Sequence, residues 1–177
     1  VINGAERVIV SQLHRSPGIA FESTVHVNGK VLYSFRIIPD RGSWIEVQFD
    51  TADLLYIYLD RRKRRRKFLA TTFLRALGYG SDEEVIKLFY NIETLKLSDK
   101  LDEEQLASKV LTADIRDGEV TVARAFEPLT LATVRQIMAL NIHEAKVIDI
   151  SNDDTVVKAL RKDPAHDQEE ALKDIYR

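Results

Sequence analysis

The chain has 177 residues, a formal net charge of −2, 45% hydrophobic and 31% charged residues, and no cysteine. That length holds one domain with a real core, or two small lobes. No apolar run approaches the roughly 20 residues needed to span a bilayer, which excludes a membrane segment, and the missing cysteines exclude a disulfide framework or thiolate metal site and fit a reducing cytoplasm. The charge is unevenly spread. Residues 1–75 carry 13 Lys and Arg against 7 Asp and Glu, whereas residues 76–177 carry 13 against 21, so halves of +6 and −8 give the total of −2. A polyanion is drawn to the first half.

Taken in order, Val8, Ile9, Val10 and Leu13 form an apolar run that predicts a strand with a core-facing Val8 and Ile9, and His14-Arg15-Ser16-Pro17-Gly18 ends it as a loop. Residues 19–27 and 30–38 flank Asn28-Gly29, which predicts a hairpin on a type I′ turn because both residues tolerate positive φ. After Pro39-Asp40-Arg41-Gly42, read as a turn, residues 43–49 alternate. Ile45, Val47 and Phe49 form the core face, and Trp44, Glu46 and Gln48 the polar one. Residues 54–59 read as a further strand, leading to Asp60 and to seven consecutive cations, Arg61 to Lys67.

The pattern then turns helical from Phe68 to Leu77, with Gly78 as C-cap. Ser81-Asp82-Glu83-Glu84 is a capping box opening a helix that runs to about Tyr90. A short acidic helix follows over 102–108. Residues 110–115 pair with 120–125 across Asp117-Gly118, Pro128 and Thr130 introduce a helix over 131–140, residues 146–150 form a strand, and Asp167-Gln168-Glu169-Glu170 caps a last helix. The fold class is α+β: a basic, antiparallel, β-rich part with hairpins over 1–67, then a helical and mixed α/β acidic part over 68–177.

No self-contained active site emerges. His14, His26, His143 and His166 are scattered without metal-ligand spacing, and no phosphate-loop, nucleophile-elbow or zinc-protease motif is present. The acids around 99–104 and at Asp153-Asp154 fall where helices begin, so capping accounts for them. The cationic run has three readings: a self-repelling solvated loop, a nuclear-import signal, or a phosphate-binding segment acting by counterion release. For Trp44, residue type alone favours burial, but the alternation puts it on the polar side. An exposed indole near Arg36 and Arg41 suits nucleic acid, since aromatic faces stack on bases at about 1–3 kcal/mol each.

Four blocks in order, INGAERVIVSQLHRSPG (2–18), LYSFRIIPDRGSWIEVQFD (32–50), YIYLDRRKRRRKFLATTFLRALGY (56–79) and KDPAHDQEEALKDIYR (162–177), resemble the β subunit of bacterial DNA-directed RNA polymerase. They bracket the part called the lobe, or β2 domain, and the likeness is weakest over about 92–157. The resemblance implies a nucleotidyltransferase of the bacterial cytoplasm and nucleoid, with DNA, the β′, α and ω subunits and a sigma factor as partners and no membrane. It places the catalytic Mg²⁺ on β′, so this chain carries no catalytic residue, metal ligand or cofactor of its own.

The same resemblance makes Trp44 a platform for an unpaired non-template base and puts Arg15 and Asp60 beside the pocket reading the next base, while Arg41 beside Trp44 and Arg61 and Arg62 of the basic run are expected as DNA contacts from their charge. Positions matching Arg7, Val10 and Gln12 help line the rifamycin pocket in the family. Four features depart from it, one being the short connection from Phe21 to Lys30, with Asn28-Gly29 where relatives often have a longer loop. Asp40 stands where many relatives have Tyr, no Pro occurs near Phe68-Leu69, and the basic run is longer by about three residues. Val1 is not an initiator Met and the ends are abrupt, which reads as a piece of a longer chain. The alternative is an autonomous nucleic-acid-binding module using the basic run.

Overall fold

In the computed structural model, residues 1–59 and 66–177 are described, and they form an α+β fold of antiparallel sheets and helices. The first sheet is built from β1 (Gly18–Val25), β2 (Val31–Ile38), β3 (Ile45–Phe49), β4 (Leu55–Leu59) and β5 (Lys67–Leu69), each paired with the next in chain order. Short connections between antiparallel neighbours make this meander the simplest route for such a sequence. Directly paired residues share a face, so Phe35, Val47, Ile57 and Phe68 lie in one row, and Arg36, Glu46 and Tyr58 in a row on the other. The apolar row is buried at β3–β5, where Val47, Ile57 and Phe68 are nearly inaccessible. It is open at β1–β2, where Ile19, Phe21, Val25 and Tyr33 are exposed.

The remaining chain opens with α1 (Ala70–Ala76) and α2 (Asp82–Phe89). A three-stranded sheet follows, in the order β6 (Ile92–Lys96), β10 (Glu144–Asp149), β7 (Lys109–Leu111). Around it stand α3 (Glu103–Ala107), the hairpin β8 (Ile115–Asp117) and β9 (Val120–Ala123), α4 (Leu131–Met138), α5 (Thr155–Lys162) and α6 (Gln168–Tyr176). The period of two divides this sheet between two cores. Leu111 and Val147 join Leu106, Val134 and Ile137 on one side, while Val110 and Ile148 join Val85, Ile86 and Val157 on the other. A smaller cluster of Leu54, Leu69 and Ala159, with Tyr56 against it, fastens the five-stranded sheet to α5.

Local signals hold at several points. Ser81 accepts from the Glu84 amide at 3.2 Å and Glu84 accepts from the Ser81 amide at 3.0 Å, completing the capping box. Gly78, at φ +123°, lets the Tyr79 amide reach Leu74 O and its own amide reach Arg75 O, which ends α1 in a Schellman motif. Thr130 and Asp167 cap α4 and α6.

Other expectations are corrected. Residues 6–17 form no strand, and Val8 and Ile9 are 87% and 97% exposed, because no described strand pairs with the run and an apolar sequence alone does not bury itself. The β1–β2 turn has positive φ at Gly29 only. His26 O accepts from the Gly29 amide and the His26 amide donates to Lys30 O, giving a wider turn than the two-residue type I′. The I′ geometry occurs instead at Asn3-Gly4, where both φ are positive and Ile2 and Ala5 exchange backbone hydrogen bonds. Phe68 and Leu69 extend the sheet as β5 before the helix begins, because Tyr56 and Ile57 offer an open edge to pair with. Lys109–Leu111 pairs with β10, leaving only Ile115–Asp117 to meet β9 across Asp117-Gly118.

Candidate nucleic-acid interface

The register of the first sheet assembles the site. Gly18 pairs with Ile38, Ile37 with Ile45, Ile45 with Leu59, and Tyr58 with Lys67. The start of β1, the end of β2, the start of β3, the end of β4 and the start of β5 therefore share one end of the sheet. Arg15 precedes β1 there, and Arg41 and Trp44 lie in the β2–β3 connection. Asp60, Arg61 and Arg62, expected as DNA contacts, lie outside the described residues. The opposite end carries the other turns, tied together where Lys30 Nζ reaches Asp53 at 2.7 Å and Thr51 O at 3.0 Å.

Trp44 sits one residue before β3 and is 42% exposed. The bend ahead of it needs Gly42, whose φ of +119° an L side chain rarely adopts. The indole is thus held beside a rigid strand while part of its surface meets solvent. Arg41 and Asp40 are both exposed on this bend, so the connection to β3 carries a cation and an anion as well as the indole.

Behind Trp44, the polar face of the sheet carries a line of ion pairs. Arg15 Nη1 donates to Glu22 Oε1 at 3.4 Å, and Arg36 Nη1 donates to the same oxygen at 3.2 Å. Arg36 Nε faces Glu46 Oε2 at 3.7 Å, and Glu46 accepts from the Gln48 amide. Side-chain exposure falls along the line, from 50% at Arg15 through 35% at Glu22 and 17% at Arg36 to 4% at Glu46. Two expectations change as a result. Glu46 is buried although it lies on the polar face, with Arg36 directly opposite it across the register and the Gln48 side chain donating to it. Arg36, paired on both sides, is not a free phosphate neutraliser.

Sequence reasoning missed Glu22. Its signal was the hairpin register, which sets Ala20 opposite Arg36 and Glu22 opposite Ser34, and so makes Glu22 the diagonal neighbour of Arg36. Glu22, Arg36 and Glu46 line a concavity of about 210 Å³ that also includes Ser34, Gln48 and Phe49, and Arg15 lies outside it. Arg7, Val10 and Gln12 are exposed on the irregular segment ahead of β1 and line neither this concavity nor a larger one of about 650 Å³ beside the start of α2. Among the described residues no three His, Asp or Glu side chains converge as a metal site. No helix among them is long and apolar enough to cross a membrane.

Residues 15–138 match the family model described as RNA polymerase Rpb2, domain 2, and the chain belongs to that family. The match runs through much of the stretch from 92 to 157 where the sequence resemblance was weakest. The chain is similar over its whole length to subunits named DNA-directed RNA polymerase subunit beta: 59% identical to that of Methylacidiphilum infernorum, 48% to that of Protochlamydia amoebophila and 47% to that of Chlamydia abortus. It spans only 15%, 14% and 14% of those relatives, respectively.

Proposed function

We propose that this chain is the lobe of a bacterial RNA polymerase β subunit, forming part of the DNA cleft and contacting downstream DNA and the non-template strand during transcription. One observation carries the reading: Trp44 is presented to solvent at the end of the sheet that also holds Arg15 and Arg41. A base leaving a duplex finds there a pre-positioned aromatic plane, so little conformational entropy is lost on stacking. Nucleotidyl transfer belongs to the whole enzyme, with Mg²⁺ on β′. This chain binds and orients DNA, and β′, α, ω and a sigma factor are its partners in a complex at the bacterial nucleoid. Arg7, Val10 and Gln12 contribute one side of a rifamycin pocket completed by other parts of the subunit.

The test is Trp44→Ala in the assembled polymerase. Loss of one base stack of about 1–3 kcal/mol shortens open-complex lifetime by roughly 5- to 150-fold or moves the start site. Unchanged lifetimes and footprints would count against the reading.

A further inference from the structure

We propose that Glu22 is the positioning residue for Arg15, and that it sets the base selectivity of the site rather than its affinity for DNA. The inference rests on the reading above and on the family resemblance, which puts Arg15 beside the pocket for the non-template base next to the one on Trp44.

Arg15 stands on an irregular segment with no strand pairing of its own, and its side chain is half exposed. An arginine on such a segment finds phosphates anywhere, but it discriminates bases only when its guanidinium plane is fixed. Glu22 supplies a fixed point. It lies within β1, and its Oε1 accepts from both Arg15 and Arg36. Arg36 Nε in turn faces the carboxylate of Glu46, which is 3% exposed, at 3.7 Å, an ion pair without a hydrogen bond. The line therefore runs from a buried anchor to an exposed reader, and Glu22 is its junction. A lone carboxylate between two guanidiniums also screens their mutual repulsion, which would otherwise drive Arg15 away from Arg36.

Two effects of Glu22→Gln have opposite signs. The substitution is isosteric and removes one negative charge, so electrostatics alone makes DNA binding equal or tighter. Release of Arg15 instead erases discrimination at the base it reads. The experiment uses polymerase assembled with a β subunit carrying this sequence, and measures open-complex lifetime and its salt dependence on promoters that differ only in the non-template base beside the one stacked on Trp44.

Arg15→Ala and Glu22→Gln are both expected to lower the ratio of lifetimes between best and worst base by about fivefold or more. Glu22→Gln should leave lifetime on the worst base unchanged or longer, and Glu22→Asp, which keeps the carboxylate, should restore part of the ratio. If Arg15→Ala flattens the ratio and Glu22→Gln does not, the positioning role is overturned while the reading of Arg15 stands. If Glu22→Gln shortens lifetime equally on every base, Glu22 is merely structural and the inference is overturned. If Arg15→Ala leaves the ratio intact, the reading of Arg15 fails and the inference with it.

Discussion

Arg75 is 1% exposed on α1, and all three of its guanidinium nitrogens donate hydrogen bonds. Nε donates to Asp163 at 3.0 Å, Nη1 to the carbonyls of Gly80 and His166, and Nη2 to Asp82. Asp163 also accepts from the Thr72 hydroxyl at 2.7 Å and the Ala165 amide at 3.0 Å. This hub joins α1, the start of α2 and the α5–α6 connection, and it brings together two of the polymerase-like blocks: FLRALGY supplies Arg75 and KDPAH supplies Asp163, the two halves of one buried ion pair. Removing one partner strands a buried charge. Arg75→Met or Asp163→Ala should therefore lower stability by about 3–5 kcal/mol in urea denaturation. A loss below about 1 kcal/mol, the worth of an exposed pair, would show that the hub is not a structural anchor.

Among the elements, α2 gives the sharpest test of a local signal. Ser81→Ala removes the side-chain cap and should cost about 1 kcal/mol in chemical denaturation. Hydrogen bonding from the Ser81 amide, aided by its hydroxyl, holds the Glu84 carboxyl below the ordinary glutamate range. A depressed carboxylate stabilises the fold above its unfolded pKa, and that contribution is lost as pH falls through the folded value. Nuclear magnetic resonance titration should accordingly find the Glu84 pKa below the usual range in the parent chain and higher in Ser81→Ala; no difference would mean that the hydroxyl plays no part.

Such caps and turns were legible because their partners lie within four residues. Misreadings arose where the partner is distant or absent. Val8-Ile9-Val10 looks like a strand, but no described neighbour pairs with it. Phe68-Leu69 fits a helix until Tyr56 and Ile57 offer an edge. β6 and α5 were not anticipated as elements, since Ile92–Lys96 is short and partly polar and Asp153-Asp154 marked only a possible helix start. Glu46 passed for a surface residue because alternation cannot reveal its pairing with Arg36 across the register. For the candidate site, the sequence supplied Arg15, Arg41 and Trp44, but the shared sheet end depends on the register of five strands.

Across the whole molecule, the charge division sets what the chain does by itself. A lobe that depends on the rest of a polymerase for its grip should bind DNA only as a nonspecific cation surface, with Kd roughly 10⁻⁴ to 10⁻⁶ M and a steep fall as salt rises. Sub-micromolar binding near physiological salt would instead mark an autonomous module. The chain's single tryptophan makes the central claim directly readable. Emission from Trp44 should be quenched saturably by a single-stranded oligonucleotide and much less by a duplex of equal length, because only splayed bases can stack on the indole. If anisotropy of a labelled single strand shows it bound while Trp44 emission does not change, base stacking at Trp44 is contradicted.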